Sequence, residues 1–343
     1  MNSNITKAFN HWLIRLFLTV LVCIYFIGCA GTKEEMSTLP ETEAEAEADT
    51  TGIDETEVRV EIGTVATPEG ESIQLTTGDF HNGIGNFHPD GNHIAFQSKR
   101  DGHWQVFELN LDNNSENTLF TDQFNDENPI WTPDGLNLLF VSDRDGGGDE
   151  WERDVYSFNP ATGEVKRLTD AKSDDWYPIP VDEASFLFLS ERGTDEKLQV
   201  IHKQNSLYIG FLDGSKPFKI VGAEVDPSSP IPWKGNRFII RTPKGALAVW
   251  SAEDQSTELL TPSNMKCGSA TINLDKNWLV FNSREQGTTY KLYLLDLNTK
   301  TLQPLNTIGG EVRYPQFSPD GNTILYTAEI DDYYQLFKLQ LAQ

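Results

Sequence analysis

The sequence predicts an all-β protein: a single six-bladed β-propeller of four-stranded antiparallel blades, closed by an N-terminal strand. Three observations point there. A turn-and-strand pattern recurs at a spacing of roughly 45 residues, the range expected of propeller blades. Each copy divides into short apolar runs separated by turn residues. No segment sustains the 3.6-residue apolar period of an amphipathic helix.

The copies are plain when aligned. "NFHPDGNHIAFQSKRDG" (86–102) matches "PIWTPDGLNLLFVSDRDG" (129–146) and "PQFSPDGNTILYTAEIDD" (315–332). Weaker copies lie at 178–193 and 270–287, and a degraded one, "PIPWKGNRFIIRTPKG", at 230–245. The second copy shows how a blade is written. Residues 128–132 form its first strand, and Pro133-Asp134-Gly135 the turn. Proline presets φ at the first turn position, and glycine tolerates the positive φ that a reversal needs. Residues 138–142, 155–158 and 165–169 supply the second, third and fourth strands, with the turn formers "NPATG" between the last two. The last copy ends on a third strand, "YQLFKLQLAQ", and "ESIQLTT" (71–77) has the character of a fourth. That segment is expected to complete the sixth blade and leave no open edge.

These residues resemble the TolB-like, WD40-like propeller repeat, an aromatic-Ser-Pro-Asp-Gly turn followed by an apolar strand and Ser-x-Arg-x-Gly. The resemblance runs from about residue 72 to the end and is specific for fold rather than for activity. A full TolB protein also has an N-terminal α/β domain that contacts its partners. The short acidic segment before the repeats leaves no room for one, so the Tol–Pal role is not carried over.

Residues 1–28 read as a secretory signal: Lys7, His11 and Arg15, then an apolar run from Leu16 to Gly28 too short to span a bilayer comfortably. The run ends "FIGC", which resembles the lipobox of bacterial lipoproteins and implies diacylglyceryl attachment at Cys29. Two or more acyl chains suffice for stable anchoring. Ala30, which is not the Asp associated with inner-membrane retention, favours the outer membrane, and Lys33-Glu34-Glu35 is similar to a surface-export signal. Residues 29–57 are rich in Glu, Thr and Ala and nearly free of large apolar side chains, so they are expected to form a disordered, self-repelling tether. The propeller is assigned to 58–343.

The formal net charge of −25 argues against nucleic acid, whose phosphates would repel such a chain. Of Cys23, Cys29 and Cys267 only the last lies in the globular part, so no disulfide framework forms there. A monomer is expected.

In a propeller the loops joining fourth to first strands share one face with those joining second to third. Here that face mixes acids and aromatics. The candidate ligand residues are Phe80, His81, Asp126, Glu127, Asp174, Asp175, Trp176, Tyr177, Arg313 and Tyr314. Arg100, Arg144, Arg192 and Arg284 recur at the end of the second strand and are read as structural, each paired with a nearby carboxylate. No catalytic residue is assigned and no cofactor is expected. Asp143, Asp145 and Asp149, in a glycine-rich loop, form a weak calcium site that departs from the EF-hand spacing. His81, His88, His93 and His103 all fall in the first repeat and are read as coincidence rather than a metal centre. Without a G-x-S-x-G elbow, the hydrolase pattern is missing. The leading expectation is a non-catalytic envelope lipoprotein that binds a protein, peptide or glycan. The alternative is a glycan-active enzyme, lyase or hydrolase, which needs carboxylates facing each other across a pocket.

Overall fold

The computed structural model describes residues 61–62, 70–146, 153–192, 206–221, 230–284 and 288–341. The lipobox, Cys29 and the acidic tether lie outside them. Among the described residues no helix is long and apolar enough to cross a membrane.

Two strands precede the ring, β1 (Glu61–Ile62) and β2 (Ser72–Gln74). Blade 1 comprises β3 (Asn82–Phe87), β4 (His93–Ser98), β5 (Gln105–Asn110) and β6 (Ser115–Thr118). Blade 2 follows with β7 (Asp126–Trp131), β8 (Leu138–Ser142), β9 (Asp154–Asn159) and β10 (Glu164–Arg167). Blade 3 holds β11 (Asp175–Pro180), β12 (Ser185–Ser190), β13 (Ser206–Phe211) and β14 (Phe218–Val221). Blade 4 holds β15 (Ile231–Pro232), β16 (Arg237–Arg241), β17 (Leu247–Ser251) and β18 (Thr257–Leu259). Blade 5 is β19 (Lys266–Asn273), β20 (Trp278–Arg284), β21 (Lys291–Asp296) and β22 (Thr301–Pro304). Blade 6 is β23 (Val312–Phe317), β24 (Thr323–Ile330) and β25 (Tyr333–Gln340), completed by β2, whose Ser72, Ile73 and Gln74 pair antiparallel with Leu339, Lys338 and Phe337.

Closure through β2 thus occurs as the strand count predicts. It is reinforced by Thr76, whose hydroxyl donates to Gln335 Oε1 (2.9 Å) and accepts from the Leu336 amide (2.9 Å). One strand was not anticipated: β1 pairs in parallel with β22 and makes blade 5 five-stranded.

The core consists of six apolar clusters, one between each pair of neighbouring blades. Ala95 and Val106 of blade 1 meet Trp131, Phe140 and Tyr156 of blade 2, for instance, and Leu325 and Leu336 of blade 6 meet Phe87 and Phe96 of blade 1. Middle strands are covered on both faces, which is why "LLFVS" and "SFLFLS" read as continuous buried runs rather than alternating ones.

The innermost strands break this regularity. Register slips between Gly83 and Asn86, Glu127 and Ile130, Trp176 and Ile179, Cys267 and Ala270, and Arg313 and Gln316. At four of these bulges a non-glycine residue takes positive φ: Ile84 (47°), Asn128 (54°), Tyr177 (55°) and Tyr314 (52°). A β-branched or aromatic side chain is costly there, and bulges of this kind re-aim side chains. Here they aim them at the ring axis.

Candidate functional site

The inner strands of all six blades enclose an axial channel of about 70 Å³, lined among others by Ile84, Asn128, Tyr177, Ile231, Ser269 and Tyr314. Tyr177 and Tyr314 come from blades 3 and 6, which stand opposite each other in the ring, and their hydroxyls pair. Burial, with Tyr314 adding to it, pushes the Tyr177 hydroxyl well above its ordinary value, so it remains a neutral phenol. Above the two tyrosines, on the face of the fourth-to-first and second-to-third loops, lies a wider cavity of about 230 Å³. Its walls are Trp176, Tyr177, Leu189, Arg241, Gly268, Ser269, Asn282, Tyr290, Arg313 and Tyr314.

Ladder register explains this composition. Glu127 pairs with Val141, Trp176 with Leu189 and Arg313 with Thr327, so one first-strand position faces the residue just before the motif Ser, whose place Ala328 takes in blade 6. In blade 5 the same frame sets Gly268 opposite Asn282, and in blade 4 Arg241 precedes Thr242 as Asn282 precedes Ser283. The cavity is built from these ring positions, the bulge residue beside them, and Tyr290 from a neighbouring loop.

Two polar atoms here lack protein partners. Asn282 is 2% exposed; its amide donates to the Val312 carbonyl (3.0 Å), but Oδ1 accepts nothing. Gly268 makes room for that oxygen, since a Cβ would sit 2.4 Å from it. Arg313 Nε is likewise buried without an acceptor, while one terminal nitrogen lies 3.5 Å from Glu311. Burial alone would lower the Arg313 pKa, but Tyr334, Tyr314 and Glu311 outweigh it and hold the guanidinium charged. Tyr290 and Tyr334 flank it at 5.7 and 5.9 Å. The cavity therefore offers cationic donors, one unmet acceptor and aromatic walls.

The candidates named from sequence separate into two groups. Trp176, Tyr177, Arg313 and Tyr314 converge on the cavity. The four acids are held by arginines. Asp126, 1% exposed, accepts from Arg144 (2.8 Å), and burial pushes its carboxyl up to about 7 against the pull of that guanidinium. Asp175 pairs with Arg192. Arg153 bridges Asp174 (3.1 Å) and Glu127 (3.6 Å). Phe80 and His81 belong to the blade 6–blade 1 seam. The Phe80 ring lies 5.1 Å from the Arg100 guanidinium, and His81 Nδ1 accepts from the Tyr334 amide (3.2 Å).

Other expectations meet mixed outcomes. Arg100, Arg144 and Arg192 do pair with carboxylates, Glu116 in the first case. Arg284 departs from the pattern: it follows its Ser directly instead of two residues on, and lies over the Tyr290 ring at 4.8 Å. In the glycine-rich loop, Asp143 accepts from the Asn125 amide and side chain (3.0 and 2.8 Å) and Asp145 from the Tyr156 hydroxyl (2.7 Å); Asp149 lies outside the described residues. Sequence reading missed Arg241, Gly268, Ser269, Asn282 and Tyr290. The usable signal was the residue preceding each motif Ser or Thr, which varies as Gln97, Val141, Leu189, Arg241 and Asn282 while the motif around it persists.

Comparison with known proteins agrees with the repeat reading. The domain family described as "TolB beta propeller domain" matches residues 51–210. An uncharacterised protein of Agrobacterium fabrum is 28% identical over 92 residues, 27% of this chain and 30% of its own length. An uncharacterised peptidase of Bacillus subtilis is 24% identical over 159 residues, 45% of this chain and 21% of its own. The chain thus aligns with less than a third of either relative. Among solved structures, a putative TolB from Agrobacterium tumefaciens superposes with a TM-score of 0.60 at 15% identity, over 78% of this chain and 93% of that one. An oligogalacturonate lyase in complex with manganese gives 0.55 at 15%, over 85% and 99%. A gluconolactonase from Xanthomonas campestris gives 0.59 at 13%, over 84% and 96%. At such identities these structures share the fold with this chain and nothing more specific. Its repeats, the domain match over residues 51–210 and its architecture make the chain similar to TolB-like β-propeller repeat proteins.

Proposed function

We propose that the protein is a cell-envelope lipoprotein, anchored through Cys29 to the outer membrane, whose propeller binds a partner without transforming it. The group it seats is the carboxylate-bearing ring of an acidic glycan. One observation carries this reading: a cavity of about 230 Å³ at the axial mouth joins Arg313 and Arg241 to aromatic walls and the unmatched Asn282 Oδ1. A carboxylate on a guanidinium is worth about 1.5–3 kcal/mol. Sugar C–H faces pack on aromatic rings, and a ring hydroxyl supplies the donor that Asn282 lacks. A neutral sugar satisfies only part of this set.

The second reading is a glycan-active enzyme at the same place. It needs a carboxylate pair free to move protons, and Asp126, Glu127, Asp174 and Asp175 are engaged by Arg144, Arg153 and Arg192. That engagement supports binding over turnover.

Calorimetric titration of the mature protein with oligogalacturonate, a neutral galactan oligomer and an acidic peptide tests both readings. The acidic sugar should bind, the neutral one at least about tenfold more weakly, and Arg313→Gln should lose the difference. A folded protein that ignores every acidic oligosaccharide, or prefers the peptide, refutes the glycan assignment. New sugar products on prolonged incubation would establish the enzymatic reading.

A further inference from the structure

The turn of blade 1 differs from its counterparts. In blades 2 and 6 the residue before the Pro-Asp-Gly turn is a hydroxyl that donates to the turn aspartate, Thr132 to Asp134 (2.6 Å) and Ser318 to Asp320 (2.5 Å). The strand then starts near Asn137 or Thr323. Blade 1 has histidine at both positions. His88 Nδ1 and His93 Nδ1 lie 3.0 and 2.7 Å from the same oxygen, Asp90 Oδ2.

We propose that His88, Asp90 and His93 form a binding site for a divalent transition metal ion of the zinc class, on the face opposite the axial cavity. Two features carry it. The three ligand atoms lie within 4.8 Å of one another, the one such cluster among the described residues, and each side chain is partly open to solvent. Separations of 2.7–3.0 Å approach the ligand–ligand spacing around an ion whose bonds are about 2.0–2.1 Å, so small rotations suffice to load it.

The second feature is the tautomer of His88. Its Nε2 faces the Gly135 carbonyl (3.2 Å), which only accepts, so Nε2 carries the proton and Nδ1 keeps its lone pair. That lone pair accepts from the Asp90 backbone amide (3.1 Å) and lies 3.0 Å from Asp90 Oδ2, so a cation bound there takes the lone pair in exchange for one backbone hydrogen bond. The Gly135 contact is the outer hydrogen bond that orients a metal-bound imidazole. Gly135 also makes room for it, as a Cβ there would sit 2.6 Å from Nε2.

Two imidazoles with one carboxylate favour zinc, nickel or copper over calcium and magnesium. The ion would join the blade 1 turn to blade 2 through His88, which also packs edge-on against Trp131 at 4.7 Å.

Loading has two local costs: His88 Nδ1 gives up the Asp90 amide, and His93 changes its partner. His93 Nε2 now accepts from the Asn110 amide (2.9 Å), whose oxygen is held by the Asp112 backbone (2.9 Å). With metal on Nδ1, Nε2 carries a proton and wants an acceptor there. Asn110→Asp provides it.

The test is zinc titration of the metal-stripped full chain, by calorimetry and thermal melting. One saturable site and a raised melting temperature are expected. The double variant His88→Thr, His93→Asn copies the blade 2 turn, which this chain already folds, and should weaken zinc at least about tenfold; Asn110→Asp should tighten it. No saturable site, or equal affinity in the folded double variant, overturns the proposal. A melting shift that follows protons but not zinc assigns the cation to a proton and overturns it as well.

Discussion

Blades 1 to 3 and blades 4 to 6 share one repeat pattern but use their cationic positions differently. In the first half, Arg100, Arg144 and Arg192 each turn back so that Nε donates to the motif serine (2.9, 3.0 and 2.9 Å). Their guanidinium planes lie over second- and third-strand aromatics, Phe107, Phe140 and Tyr156, and Phe188 and Tyr208. Each then grips a carboxylate. In the second half the equivalent positions read Lys244, a displaced Arg284 and Ile330. Arg241 and Arg313 stand instead on the wall of the axial cavity, which spans blades 3 to 6. One half of the ring uses arginine to lock its blades, and the other places it on the wall of the mouth.

The comparison presumes a closed ring, so the largest effect should come from opening it. A variant beginning at Asp79 lacks β2 and Thr76 and leaves β25 as an open edge. It should lose its single cooperative unfolding transition, measured by circular dichroism; normal melting would show that closure is dispensable. Next come the two kinds of arginine. Arg144→Ala strands the buried Asp126 and should cost about 3 kcal/mol in denaturant unfolding, whereas Arg241→Ala should cost about 1 kcal/mol or less yet weaken the acidic glycan. Equal costs would break the distinction between locking arginines and those on the cavity wall.

Gly268→Ala should have a smaller effect, about 1–2 kcal/mol of stability, because its methyl must displace Asn282 Oδ1. Affinity should fall more than stability does; the reverse would make Gly268 a packing residue only.

The smallest effect is in pH dependence. Asp126 titrates at about 7 when folded and at 3.8 ordinarily. It therefore binds its proton more tightly in the native state. The stability this contributes is complete below about 3.8 and is lost as pH rises to about 7. Asp126→Asn should melt with a shallower decline between about pH 4 and 7, the remaining slope coming from Asp154, raised to about 6 mainly by burial, and from Asp175 and Glu127, which burial also raises. An unchanged slope would mean that Arg144 keeps Asp126 ionised throughout.

Much of the fold was legible, and for local reasons. Second-strand bounds such as Leu138–Ser142 coincide with the expected run because turn chemistry and burial on both faces mark the same residues. The site was legible only in part. Trp176, Tyr177, Arg313 and Tyr314 stood out as unusual residues in loops of one face. Asp126 and Asp175 stood out equally, and nothing local distinguishes a carboxylate bound by the arginine 18 or 17 positions on from one offered to a ligand.

The sequence by itself determined the repeat, the turns, the strand count and the closing segment, since each depends on residues close together in the chain or on a simple period. Only the tertiary structure decided what meets on the axis. Arg241, Asn282 and Arg313 lie on different blades and become neighbours through ring closure. Tyr177 and Tyr314 touch because bulges hold them in a left-handed conformation that their side-chain types do not announce.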